Sequence, residues 1–389
     1  MRTHPKLHPL KMVFGILVCL LTACNSTSGV FSNKTSSIDV TSSPGLFEKT
    51  KTQDITPTSS DCSSSALVRP GVFQFEPIDG EGAIAYTGEG VSLFFPRTGK
   101  NSVLHPTSKI GLSGIEHQFS WAPDGTRLAF LYEAQGPAAC HKGYLMIADL
   151  VQGKVYPAVA SVHSFSRPAW SFNGEYLATV NENGQLVVIE MKSGSARVLQ
   201  KDAVVGVAPQ WIADEQVAYV RDINRDGQNF MQLVKQDLTG GSPSILIDES
   251  EANDLHIEGA FAVSPDQKKL AYSYAGNVYL VDLSSGSKES VSLSDFPERL
   301  QWSSDRRILM GRVGMAGIFL IHVEDLNVEN LPTHGLIEMQ SWSPDGQSLS
   351  LLQGDVGLHT FGIYHLSTRQ FEPIDMKILP PYEWAWNPQ

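Results

Sequence analysis

The sequence predicts an all-β protein: a β-propeller of seven four-stranded antiparallel blades, with six blades as the alternative, closed by the carboxyl-terminal strand. Three observations predict it. A strand-rich unit recurs six times at the roughly 40–45-residue period of blade repeats. Each copy opens on an aromatic-led strand followed by a Pro-Asp-Gly type of turn. The two ends of the repeat region hold complementary fractions of one further unit. The repeats are expected within residues 67–389, preceded by a leader over 1–23 and a stalk over 24–66.

The six copies read SWAPDGTRLAF from Ser120, AWSFNGEYLAT from Ala169, QWIADEQVAY from Gln210, AVSPDQKKLAY from Ala262, QWSSDRRILM from Gln301 and SWSPDGQSLSL from Ser341. Their anchor positions are Trp121, Trp170, Trp211, Val263, Trp302 and Trp342, at spacings of 39 to 52 residues, with insertions in blades two and four stretching the period. Proline presets φ at the first turn position, and Asp and Gly accept the αR and αL positions that follow. The flanking strands alternate, and the anchor tryptophans are placed between adjacent blades.

Residues 83–95, AIAYTGEGVSLFF, match the second and third strands of the unit, with no anchor strand before them. The terminal EWAWNPQ matches an anchor strand, and Trp386 lies 44 residues after Trp342, in register. The last strand is therefore expected to complete the first blade. Closure pairs edges that would otherwise invite aggregation.

The amino terminus carries Arg2, Lys6 and Lys11 ahead of the apolar run MVFGILVCLLTA over residues 12–23. That is the charge-then-apolar order of an export signal. As a helix the run rises about 18 Å, short of a hydrocarbon core of roughly 30 Å. Leu21-Thr22-Ala23-Cys24 resembles the bacterial lipobox. The resemblance implies cleavage before Cys24, palmitate-type acylation of its thiol, and anchoring to the extracytoplasmic face of the bacterial membrane. If the source is Gram-negative, this means the periplasm, and Asn25 in place of Asp favours the outer membrane. Residues 25–66 are rich in Ser and Thr, with Pro44 and Pro57, and read as a flexible stalk. Cys62 and Cys140 form either a disulfide or two free thiols; both readings stay open.

The Trp-Ser-Pro-Asp-Gly…Leu-Ala-Tyr unit is similar to the WD40-like (PD40) repeats of TolB and of the propeller domains of prolyl oligopeptidase relatives. The similarity covers about residues 80–389. It is clear in blades two, five and seven and weaker in blades four and six, where Ala213-Asp214-Glu215 and Ser304-Asp305-Arg306 replace the turn. The separate α/β domain of TolB has no counterpart among these residues, so its partners do not carry over.

A formal net charge of −12, made more negative by loss of the leader's cations, argues against nucleic acid as a partner. No GxSxG elbow is present; Gly111-Leu112-Ser113-Gly114 is the nearest segment and fails. No HExxH, P-loop or dinucleotide pattern occurs, and no catalytic residue is assigned. Asp222-Ile223-Asn224-Arg225-Asp226-Gly227 matches the start of an EF-hand-like Ca²⁺ loop but has Phe230 and Leu233 at positions nine and twelve. A calcium site and a plain polar hairpin are both open there; no other cofactor is expected. Three to five residues before the anchors stand Glu116, Glu258, Glu298, Glu338 and Glu383. They are expected either to form an acidic rim for a cation or basic segment, or to be solvated loop residues. The sequence favours a monomeric, non-enzymatic protein-binding or scaffold module at the cell envelope. The alternative is a propeller enzyme, a metal-dependent lyase or glycosidase-like protein, acting at the axial channel mouth.

Overall fold

The computed structural model describes residues 70–389, except 89, 106–113, 135–141, 164, 249–260, 294–296, 314–316, 332–339, 356–357 and 375–383. Cys24, Cys62, Cys140 and residues 1–66 lie outside the described residues. The described chain is all β, in seven antiparallel sheets. Each sheet is one blade, and in blades 3 to 7 the strands run in chain order from innermost to outermost. The innermost strands of blades 2 to 7 are Gly114–Trp121, Ala169–Trp170, Gln210–Ala213, Phe261–Val263, Pro297–Trp302 and Gln340–Trp342, so all six predicted anchors stand where the period puts them.

Blade 1 is the split blade. Its innermost strand is Trp384–Trp386, paired with Ile84–Gly88 in the register Ile84 to Trp386, Ala85 to Ala385 and Tyr86 to Trp384. Closure is reinforced beyond the ladder. The Asn387 amide donates to Ala83 O at 2.8 Å, and Gly82 N donates to Gln389 O at 2.9 Å. The Asn387 carboxamide, on a residue only 1% exposed, donates to Gly80 O at 2.8 Å and to Gly125 O at 2.9 Å. One departure from four-stranded blades occurs. Phe73–Gln74 adds to the outer edge of blade 2 through Phe73–Val155 and Gln74–Lys154 pairs, making five strands. Two residues are too short for the alternation that marks a strand in sequence.

The core is divided among seven apolar clusters, one at each seam between neighbouring blades. Leu128, Phe130 and Met146 meet Ala83, Ala85 and Leu93 between blades 2 and 1. Ile84, Tyr86 and Trp384 meet Leu352 and Phe361 between blades 1 and 7. Each seam is also latched by a polar contact. The indole N–H groups of Trp121, Trp170, Trp211, Trp302 and Trp342 donate to the carbonyls of Ala385, Ser120, Ala169, Ala262 and Gln301, at 2.8 to 3.3 Å. Every acceptor is the residue just before the preceding blade's anchor. Val263 has no indole, and there the Gln210 side chain of blade 4 donates to Phe261 O at 2.7 Å and accepts from Val263 N at 2.9 Å. At the last seam Trp384 Nε1 donates to Ser350 Oγ at 2.8 Å, which in turn donates to Ser341 O at 3.1 Å.

The turns after the anchors share a second device. Ser264, Ser303 and Ser343 each donate to the carboxylate two residues on, and each accepts the amide five residues on. The Ser343 hydroxyl and the Gln347 amide hold Asp345 below the ordinary carboxylate range. Burial pushes Asp266 and Asp305 upward, but the serine hydroxyls, the backbone amides of Lys268 and Arg307, and nearby arginines outweigh it, and both end lower.

Candidate functional site

Antiparallel alternation places the connections between blades, and the turn between the second and third strands of each blade, on one face of the ring. On this face blade 4 departs most from its neighbours. Its middle strands, Gln216–Arg225 and Gln228–Asp237, have 10 residues each, against 5 each in blade 3. At about 3.4 Å per residue, the surplus carries the hairpin about 17 Å further. The ladder is unbroken to Arg225 opposite Gln228, and the two-residue turn has positive φ at Asp226 (53°) and Gly227 (80°). Those angles belong to a type I′ hairpin turn, which favours Asp-Gly.

The run from Asp222 to Arg225 thus lies in a ladder, with Asp226 in the turn. Asp222 is opposite Met231 and Asn224 opposite Asn229. The Asn224 carboxamide donates to Asn229 Oδ1 at 2.7 Å and accepts from Gly227 N at 3.2 Å. Burial, and then the charge of Asp202, raise the Asp222 carboxyl. Among the described residues no group of three or more His, Cys, Asp or Glu side chains is placed to hold a metal.

Beside this hairpin, the connections entering blades 3 and 4 meet. Phe165 is 50% exposed and Val205 36%. A Cβ on Gly206 would stand 3.7 Å from that of Phe165, and Gly206 N donates to Ser166 Oγ at 3.3 Å, so the two loops are in contact. The His163 ring lies 5.5 Å from the Phe165 ring, tilted. Residues 202–204 run along the second strand of blade 4, through Val204 N to Val220 O at 2.8 Å and Asp222 N to Asp202 O at 2.9 Å. Beneath them is a polar frame. Tyr219 Oη donates to Asp202 at 2.9 Å, Arg221 lies 3.8 Å from Asp202, and Arg221 donates twice to Gln232 Oε1, at 3.1 and 2.7 Å. Burial first, and then the Asp202 charge, push the Tyr219 phenol well above its ordinary value, so it remains a donor. The result is an exposed aromatic and aliphatic pair on a rigid base.

The glutamates before the anchors divide differently. Glu258, Glu338 and Glu383 lie outside the described residues. Glu116 and Glu298 are in innermost strands, opposite Tyr132 and Arg312. Counted from the residue opposite each anchor tryptophan, Tyr132 is fourth beyond Leu128 and Arg312 third beyond Leu309, so the two glutamates hold non-equivalent registers. Each strand carries a register shift near a residue of positive φ, Gln118 at 59° and Arg299 at 37°. Phe165 and Val205 were not singled out by sequence; the aromatic in the His163-Ser-Phe165 connection, outside any repeat strand, was the available signal.

No protein-family profile and no curated protein matches the chain. Solved structures do. The C-terminal WD40 domain of Sif2 is 15% identical, covers 81% of this chain and 89% of its own, and gives a TM-score of 0.53. Oligogalacturonate lyase in complex with manganese is 12% identical over 78% and 84%, with a TM-score of 0.53. TolB from Acinetobacter baumannii is 18% identical over 79% and 82%, with a TM-score of 0.48. At these identities the likeness is one of fold, and the WD40-like propeller read from the repeats stands at that level.

Proposed function

We propose that this chain is a lipid-anchored, extracytoplasmic propeller that binds a protein partner at the bacterial envelope. The observation that carries the binding reading is the exposure of Phe165 and Val205 on two touching connections beside blade 4. Hot spots of protein interfaces centre on such aromatic anchors with a polar surround. Fold alone names no partner, so the argument rests on this surface. The anchor reading rests on Leu21-Thr22-Ala23-Cys24 after the apolar run. Acyl chains on Cys24, with the Ser/Thr-rich segment as tether, would hold the propeller at the membrane.

The test uses three forms of the full chain: unaltered, Cys24→Ser and Phe165→Asp. Cys24→Ser is expected to leave the membrane fraction, and retention there would defeat the anchor. Affinity capture from native membranes is expected to recover a reproducible partner with the unaltered chain and to lose it with a folded Phe165→Asp. Equal recovery by both forms would show that this face is not the interface.

A further inference from the structure

We propose that the outer mouth of the seam between blades 6 and 7 is a binding site for a neutral polyhydroxylated ligand, a mono- or disaccharide unit. A cleft of about 590 Å³ opens there, within the range of roughly 300–1,000 Å³ usual for small-molecule sites. It lies between sheet faces: blade 6 contributes Leu320, His322 and Glu329, and blade 7 contributes Tyr364, Leu366 and Arg369.

Tyr364 carries the argument. It sits on the strand Leu358–His365 and is 3% exposed. Its hydroxyl is buried and has no hydrogen-bond partner. Two other buried phenols have partners: Tyr219 donates to Asp202, and Tyr272 accepts from Lys288. A buried hydroxyl left alone costs about 1–3 kcal/mol of desolvation, so one on a residue that lines a cleft, without a protein partner, is suited to a bound one. Burial raises the Tyr364 phenol, with the Glu329 charge adding to it, so the group is a protonated donor at neutral pH.

The rest of the cleft defines the ligand's chemistry. Glu329 spans the seam, 3.0 Å from Arg369 of blade 7, and lies 3.6 Å from His322 on its own blade. Arg307 is held by Asp305. The arginines are thus offset, while Glu324 and Asp325 also line the cleft, so the field that remains is negative and disfavours an anionic ligand. The cleft also presents the side-chain amides of Asn327 and Gln347 beside the aliphatic Leu320 and Leu366. Hydroxyl groups, each both donor and acceptor, match these groups. An extended peptide would instead be expected to follow a strand edge, whereas this cleft lies between two sheet faces.

The test is calorimetric titration of the full chain, in mild detergent, with maltose, cellobiose and N,N′-diacetylchitobiose, and with a digalacturonate and a trialanine peptide for comparison. At least one neutral disaccharide is expected to bind. Tyr364→Phe is expected to weaken it about tenfold, the equivalent of about 1.4 kcal/mol. The same variant without ligand is expected to melt at or above the wild-type temperature, because it removes an unsatisfied buried hydroxyl. Glu329→Gln is expected to weaken binding as well. Four results overturn the inference: no disaccharide bound at about 10 mM, binding indifferent to both substitutions, a preference for the peptide or the charged sugar, or a Tyr364→Phe protein that melts several degrees lower.

Discussion

Asn387→Ala tests how the ring is closed. The side chain donates to Gly80 O and Gly125 O, and its Oδ1 accepts from Gln389 N at 2.9 Å. Truncation removes two buried hydrogen bonds and a third, to Gln389 N, that is partly exposed. Gly80 O keeps the Ala83 amide at 3.0 Å, so the loss falls on Gly125 O and Gln389 N. At about 1 kcal/mol net per hydrogen bond, these two groups cost about 2 kcal/mol. A roughly 320-residue propeller unfolds with an entropy of about 0.7 kcal/mol/K, so Tm should fall by about 3 °C. Asn387→Asp should cost more at pH 7, because a carboxylate offers only acceptors to two carbonyls. That carboxyl would be raised in the folded state, so its penalty should shrink as pH falls through the raised value. The assay is scanning calorimetry at fixed scan rate, with near-ultraviolet circular dichroism to confirm native packing. An Asn387→Ala protein melting within about 1 °C of wild type would refute the latch.

Removing residues 384–389 takes away the inner strand of blade 1 and the carbonyl that holds Trp121; the expected result is loss of a cooperative melt, and a monomer of unchanged Tm would contradict closure. Gln210→Ala leaves Phe261 O and Val263 N unpaired and should cost about 2 kcal/mol, against about 1 kcal/mol for Trp302→Phe, which frees one carbonyl; the reverse order in denaturant titrations would undo the substitution argument. Asp266, Asp305 and Asp345 are lowered in the fold, so their contribution is present above the ordinary carboxylate pKa and lost as pH falls through the lowered values. A Ser264→Ala, Ser303→Ala, Ser343→Ala protein should therefore unfold at a higher pH on acid titration, and an unmoved acid midpoint would show that the serines do not hold these carboxylates down.

The anchors and the closing strand were legible because they are encoded in large side chains at a fixed period: Trp121 to Trp386 mark the seams wherever the intervening loops wander. The latches were less so. Asn387 acts on Gly80 and Gly125, 307 and 262 residues away in the chain, and no local pattern connects them. Gln210 precedes a tryptophan in a repeat of its own, yet its role is set by the indole missing from the next blade at Val263. The Asp222–Gly227 run suited a loop or a hairpin equally, because Asp, Asn and Gly serve both; only the strand pairing on either side identifies the type I′ turn. Glu116 stands five residues before its anchor and Glu298 four, and because both strands carry the same one-residue shift, near Gln118 and Arg299, that difference survives as a difference of register.

The seams explain why the fold is easier to read than the surface. Where indoles latch, the acceptor is fixed, the carbonyl just before the preceding anchor, while the donor varies at seams where another group can reach. Trp serves at five seams, Gln210 bridges a sixth, and Trp384 with Ser350 and Ser341 forms the seventh. A polar group at a buried strand edge needs a partner whatever the sequence, so each seam keeps a polar latch, while its direction and acceptor change where Gln210 or Trp384 replaces the anchor indole. Stability of this kind lies between blades, in clusters that take in Ala203, Val204 and Val207 of the connection into blade 4 but not Val205. Phe165, Val205 and the Asp226-Gly227 tip sit outside every one of those clusters. The repeat constrains what lies in the seams and leaves these positions open, which is why the period that reveals the ring carries no record of what the ring holds.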